Sequence, residues 1–126
     1  VDKHARIILL RVAEPVTTLI AGGSEALDMA EVAEKQAKAD AQDYLDKIAS
    51  GMQKKGFRVD TIVTNGVPAD EILGYAEKNK IDLIIMSTHG RSGISRWFYG
   101  SDAEKVIRHA TTPVLISPPH GARRRR

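Results

Sequence analysis

Apolar and polar positions change period several times along the chain. "ARIILLRVAEP" (5–15) is a short run rich in Ile and Leu, apolar at consecutive positions and closed by Glu14-Pro15. A strand buried on both faces of a parallel sheet reads this way. Residues 16–27 show no period, carry Gly22-Gly23, and read as irregular. From Asp28 to Lys55, Ala30, Ala33, Ala37, Ala41, Tyr44, Leu45, Ile48 and Met52 recur at three- and four-residue spacing. This predicts a helix of roughly 40 Å, against roughly 17 Å for a five-residue strand. Its front half, nearly all alanine and charge, is expected to project past the sheet, and Gly56 to stop it.

"FRVDTIVTNG" (57–66) alternates as a second strand does and ends at Asn65-Gly66. Pro68 suits the first turn of a helix over 68–79, with Ile72, Leu73, Tyr75 and Ala76 inward. "DLIIMS" (82–87) is a third strand. A loop with Gly90, Gly93 and Gly100 follows, then a helix from Ser101 to about His109. Thr112-Pro113 introduces a fourth strand, "VLIS", which Pro118-Pro119 ends. This order predicts an α/β fold: an open parallel sheet of four strands with right-handed crossovers and helices on both faces, Rossmann-like in outline. Ligands of such sheets sit beyond the carboxyl ends of the strands, where the glycine loop begins.

Composition narrows the function. The 126 residues suit one domain, expected over 1–119 with a basic tail over 120–126, and 42% hydrophobic residues make it globular. The formal charge of +3 is carried by the end of the chain: Arg123 to Arg126 hold four of the nineteen positive charges, leaving fifteen against sixteen acidic residues. Basicity is therefore a tail and not a face, so neither nucleic acid nor an acidic membrane is expected as partner. There is no cysteine, which removes disulfides and thiolate metal sites. No apolar run approaches the roughly 18 residues of a membrane span, and no signal peptide is visible. A cytoplasmic location is the default expectation.

Three glycines in one loop ask for a reason, since each costs backbone entropy on folding. There is no G-x-x-x-x-G-K-[ST], no G-x-G-x-x-G and no G-x-S-x-G. His4, His89, His109 and His120 lack metal-site spacing, and His89 reads as a residue that orders its loop. An anion cradle remains: glycine-rich backbone aims several N–H groups at one point, and the following helix adds free N–H groups and a positive dipole end. Ser101 has two readings. It caps the helix, with Glu104 completing an S-x-x-E capping box, or it contacts phosphate. A hydroxyl can do both.

"STHGRSGISRWFYGSDAEKVIRHATTPVLIS", with "NGVPADEILGYAEKNKIDLIIMSTHG" and "ARIILLRVAEP", resembles the universal stress protein family from about Ala5 to Ser117. The fold so implied is Rossmann-like, of the adenine nucleotide alpha hydrolase type. Family members that bind ATP carry G-x2-G-x9-G-[ST]; here Gly90, Gly100 and Ser101 match and Ser87 stands at the first glycine. The resemblance puts triphosphate and ribose on Ser87, Gly90, Arg91, Ser92, Gly100, Ser101, Asp102 and Ala103, with adenine near Val12 and Met86. It implies ATP, with or without Mg²⁺, and no catalytic or metal-ligating residue. It also implies a homodimer through the last strand, 113–117. Asp102 departs from the family's usual apolar residue, and Arg91 and Arg96 could offset its charge. The chain resembles the family from the second strand onward. By the resemblance a strand ending in a nucleotide-holding aspartate belongs between "ARIILLRV" and "DLIIMS", and without it the sheet has a gap or closes up. A longer parent is expected to supply that strand, the alternatives being a second protomer in the slot or a rearranged sheet, and strand exchange is a further expected route of association.

Three functions compete on these grounds. The leading one is a stress-response module that holds an adenine nucleotide, hydrolyses it slowly at most, and signals through nucleotide state or dimerisation. The second is an interaction protein of the same fold with a structural loop. The third, an ATPase or nucleotidyl-transfer enzyme, requires residues to place Mg²⁺ and water; Asp70 and Glu71, the acidic pair available, fit an ordinary helix start.

Overall fold

The structure, a computed structural model, describes residues 4–13, 24–87 and 101–117. Its elements run β1 (Arg6–Ala13), α1 (Ser24–Lys54), β2 (Arg58–Asn65), α2 (Pro68–Lys78), β3 (Ile84–Ser87), α3 (Ser101–His109) and β4 (Val114–Ser117). Helix α1 starts at Ser24, ahead of the expected Asp28. Ser24-Glu25-Ala26 carries no large apolar residue, so apolar spacing cannot mark those positions although they favour helix. The chain divides into two compact units, Val1–Pro68 and Ala69–Arg126.

In the first unit β1 and β2 pair in parallel, Arg6 opposite Arg58 through Ala13 opposite Asn65. Odd-numbered residues of both strands face α1. There Val59 is buried, Gln42 Nε2 donates to Thr61 Oγ1 at 2.8 Å, and the Arg11 guanidinium sits 5.1 Å from the Tyr44 ring centroid. Ala41, Leu45 and Ala49, spaced by four, are the buried residues among those described in α1. The small side chains let the helix approach the strands closely. The even-numbered face begins with an exposed Arg6–Asp60 ion pair at 2.8 Å and continues with half-buried Ile8, Leu10, Val12, Ile62 and Thr64.

Thirty-one residues make α1 about 46 Å long, while eight residues of strand span about 26 Å. From Leu27 to Asp40 no α1 residue is buried, and Leu27, Met29 and Val32 are 69%, 71% and 67% exposed. At its other end α1 closes with a left-handed Gly56 at φ 95°. Phe57 N–H donates to Met52 C=O and Gly56 N–H to Gln53 C=O, which satisfies carbonyls the helix leaves free. Helix α2 ends the same way, with Ile81 N–H on Ala76 C=O and Lys80 N–H on Glu77 C=O. There the left-handed residue is Lys80, at φ 52°.

In the second unit β3 and β4 pair in parallel, Ile84 opposite Val114 through Ser87 opposite Ser117. The core joins Ala69 and Ala76 of α2, Ile84 of β3 and Val106 of α3, with Ile72, Leu73, Ile81, Met86, Ala110 and Val114 packed around them. Asp70 and Lys105 tie α2 to α3 at 3.1 Å. The opposite face of this strand pair is apolar and exposed: Ile85 at 64%, Leu115 at 53%, and Leu83 just ahead of β3.

The α/β class and parallel pairing are those the sequence pattern predicts. Among the described residues the ladders are two, β1–β2 and β3–β4. Ten described apolar residues are buried, and six of them are alanine.

Candidate functional site

Three of the expected nucleotide contacts lie at the start of α3. Ser101 is exposed, Asp102 half-buried, and Ala103 packs inward at 3% exposure. The burial of Ala103 and Val106 fixes which side of the helix faces the core. Ser101 is left on the rim, beside the free N–H groups of the first turn. The expected capping box is not formed: Glu104 Oε2 accepts from Arg108 Nη2 at 2.8 Å, one turn onward. The Ser101 hydroxyl makes no hydrogen bond to a described residue.

Ser87 ends β3 and is exposed. The register sets it opposite Ser117, so two serines share the carboxyl end of the β3–β4 ladder. Ser117 was not among the expected contacts, because only the strand register brings it beside Ser87. Met86 is half-buried and packs into the core of its own unit. Gly90, Arg91, Ser92 and Gly100, with His89 and Arg96, lie outside the described residues.

Val12 belongs to the first unit, near the carboxyl end of β1 on the face away from α1. Its register partner is Thr64, whose Oγ1 is buried with no hydrogen-bond partner among the described residues. A buried hydroxyl without a partner costs roughly 1–3 kcal/mol. The sequence signal at Thr64 is faint, since threonine is an ordinary strand residue.

Among the described residues no group of three His, Cys, Asp or Glu side chains could hold a metal ion. No described helix is long and apolar enough to cross a membrane. A shallow depression lined by Asp43, Asp46, Lys47, Ser50, Gly51 and Lys54 lies on one helix, α1. It follows the missing side chain of Gly51 and has no convergent polar groups from a second element.

Comparison with known proteins agrees with this architecture. The family model of the universal stress protein family matches residues 1–118. Universal stress protein MJ0531 of Methanocaldococcus jannaschii is 43% identical over 79 residues, 63% of this chain and 46% of that protein. Universal stress protein YxiE of Bacillus subtilis is 35% identical over 81 residues, 64% of this chain and 55% of that protein. The matched part spans about half the length of these curated relatives. Among solved structures, that of MJ0577 superposes with a TM-score of 0.76 at 26% identity, covering 92% of this chain and 77% of that one. The structure of PH0823 gives a TM-score of 0.68 at 32% identity, covering 90% and 75%. With a family match over nearly all of its length and an α/β fold shared with these structures, the chain belongs to the universal stress protein family.

Proposed function

We propose that the chain binds an adenine nucleotide, ATP in the first instance, as a stress-response module whose nucleotide state or self-association is its signal. The supporting observation is the amino end of α3. An exposed serine whose hydroxyl has no described partner stands there, at the positive end of a nine-residue helix, directly after a glycine-rich loop. Helix amino ends favour anions through free N–H groups and the dipole together.

In this proposal the phosphates rest on backbone of the loop, with Gly90 and Gly100 allowing close approach and Ser92 beside them. The Ser101 hydroxyl donates to a phosphate oxygen, and the N–H groups of Asp102 and Ala103 add to it. Arg91 offsets phosphate charge. Ser87 replaces a glycine, so its hydroxyl replaces a closer backbone approach. Met86 helps to shape the base contact from within its packed core, and the part given to Val12 rests on the family resemblance. Mg²⁺ would arrive on the phosphates, and no catalytic residue is assigned. The dimer belongs to the same proposal. Strand β4 is four residues long, follows Pro113, and has one edge without a described partner.

Equilibrium dialysis with labelled ATP and labelled adenosine tests the reading. The folded protein takes up both. Ser101→Ala weakens ATP binding about tenfold, as loss of a hydrogen bond to a charged group does, and leaves adenosine unchanged. No uptake of ATP at millimolar concentration would favour an interaction protein whose glycine loop is purely structural. One observation favours that second reading: Asp102 places a carboxylate in the first turn, beside the proposed phosphates.

A further inference from the structure

We infer that the amino ends of β1 and β2, with the last turn of α1, form a surface for the sugar–phosphate backbone of nucleic acid. This stands apart from nucleotide binding and from the basic tail.

Summed over the body of the chain the signs nearly cancel, which speaks against a basic face; within the first unit they are segregated. From Asp28 to Asp46, α1 carries six acidic and two basic residues, whereas Lys47 to Asp60 holds four basic and one acidic. Local geometry gathers Lys54, Lys55, Arg58 and Arg6 at one end. The turn over Lys55, Gly56 and Phe57 joins α1 to β2. Gln53 Nε2 donates to Val59 C=O at 3.1 Å, which holds the last turn of the helix against the start of the strand. Arg6 lies opposite Arg58 in the parallel register, about 4.8 Å away across neighbouring strands. Like charges set side by side on two strands repel, and one of the two is relieved: Arg6 Nε donates to Asp60 Oδ2 at 2.8 Å. Arg58, Lys54 and Lys55 are exposed and have no ion pair among the described residues. The helix dipole accounts for cations at the end of α1, but not for two arginines at strand starts.

The neighbours of these cations select the partner. Ile7, Met52 and Phe57, the large apolar residues beside them, are all half-buried. None stands out to enter a bilayer or to anchor a protein interface, and no aromatic face is offered for base stacking. What the surface presents is cationic groups alone, with an arginine fork that fits a phosphate. Phosphate contacts carry no sequence information, so binding is indifferent to base. Lys54, Lys55 and Arg58 neutralise about three phosphates, and affinity for a single strand then falls with salt at a logarithmic slope of about −2.

Fluorescence anisotropy of a labelled single-stranded oligonucleotide tests this. The chain carrying Arg123→Ser, Arg124→Ser, Arg125→Ser and Arg126→Ser together still binds, with that slope. In this background Lys54→Ser, Lys55→Ser and Arg58→Ser together weaken binding at least about tenfold at low salt and flatten the slope. Asp60→Asn releases Arg6 and acts in the opposite direction: binding tightens severalfold and the slope steepens by about 0.7. No binding, loss of all binding on changing the tail alone, or equal binding by the folded triple variant overturns the inference. An unchanged slope for Asp60→Asn overturns it as well. So does capture of the chain by phosphatidylserine vesicles without binding to the oligonucleotide, which would make the surface a membrane contact.

Discussion

Two residues carry opposed demands that substitution can separate. Asp102 lies in the first turn of α3, where its charge favours the bare helix by about 0.3–1 kcal/mol and repels phosphate. Asp102→Val should lower the melting temperature without ligand and tighten ATP severalfold, with no change for adenosine and a gain that shrinks as salt rises. Paired dialysis and melting curves check this; an equal effect on adenosine would mean that the residue acts through loop shape. Thr64 is the second case. Its buried Oγ1 has no partner among the described residues, and valine keeps its shape and strand preference. Thr64→Val should stabilise the chain by about 1 kcal/mol, read by denaturant unfolding. A loss of stability would show that the hydroxyl is bonded in solution.

Elements were legible where a period repeats and illegible where a neighbour decides. The alternation of 57–66 and the three- and four-residue spacing after Ala30 come from side-chain chemistry alone, and β2 and α1 follow them. Which strands pair is set by what lies beside each edge, and no local pattern encodes that; the described ladders are two, β1–β2 and β3–β4. The same limit separates the site residues. Ser101 is marked by its place after a glycine loop, whereas Ser117 and Thr64 gain their interest only from register, opposite Ser87 and Val12. The helix ends are a finer case. Gly56 announces the close of α1, but Lys80 performs the same left-handed turn at φ 52° without a glycine to signal it. A side chain there costs roughly 1–2 kcal/mol, partly offset by the entropy glycine loses on folding. Lys80→Gly should therefore raise stability by about 0.5–1 kcal/mol, measured as a shift of the urea midpoint at constant slope.

At the scale of the molecule, association and folding draw on the same apolar surface. The exposed face of the β3–β4 ladder carries Ile85 and Leu115, and a pair formed through β4 would bring two copies of Leu115 close to its symmetry axis. Leu115→Lys should weaken such a dimer at least tenfold by setting like charges opposite each other. The melting temperature of the dilute protein should hardly change, because Leu115 is already exposed; sedimentation velocity reads the first and calorimetry the second. An unchanged dimer would place the contact elsewhere. The alanine-rich interior has a thermal consequence. Six of the ten buried apolar residues among those described expose one methyl group each on unfolding, so they newly hydrate little hydrocarbon. The heat-capacity increment, which tracks that hydration, should fall below the usual ~12–15 cal/mol/K per residue. Stability would then vary gently with temperature, as a broad low arch, and cooling would weaken the fold less than in a protein built on leucine and phenylalanine.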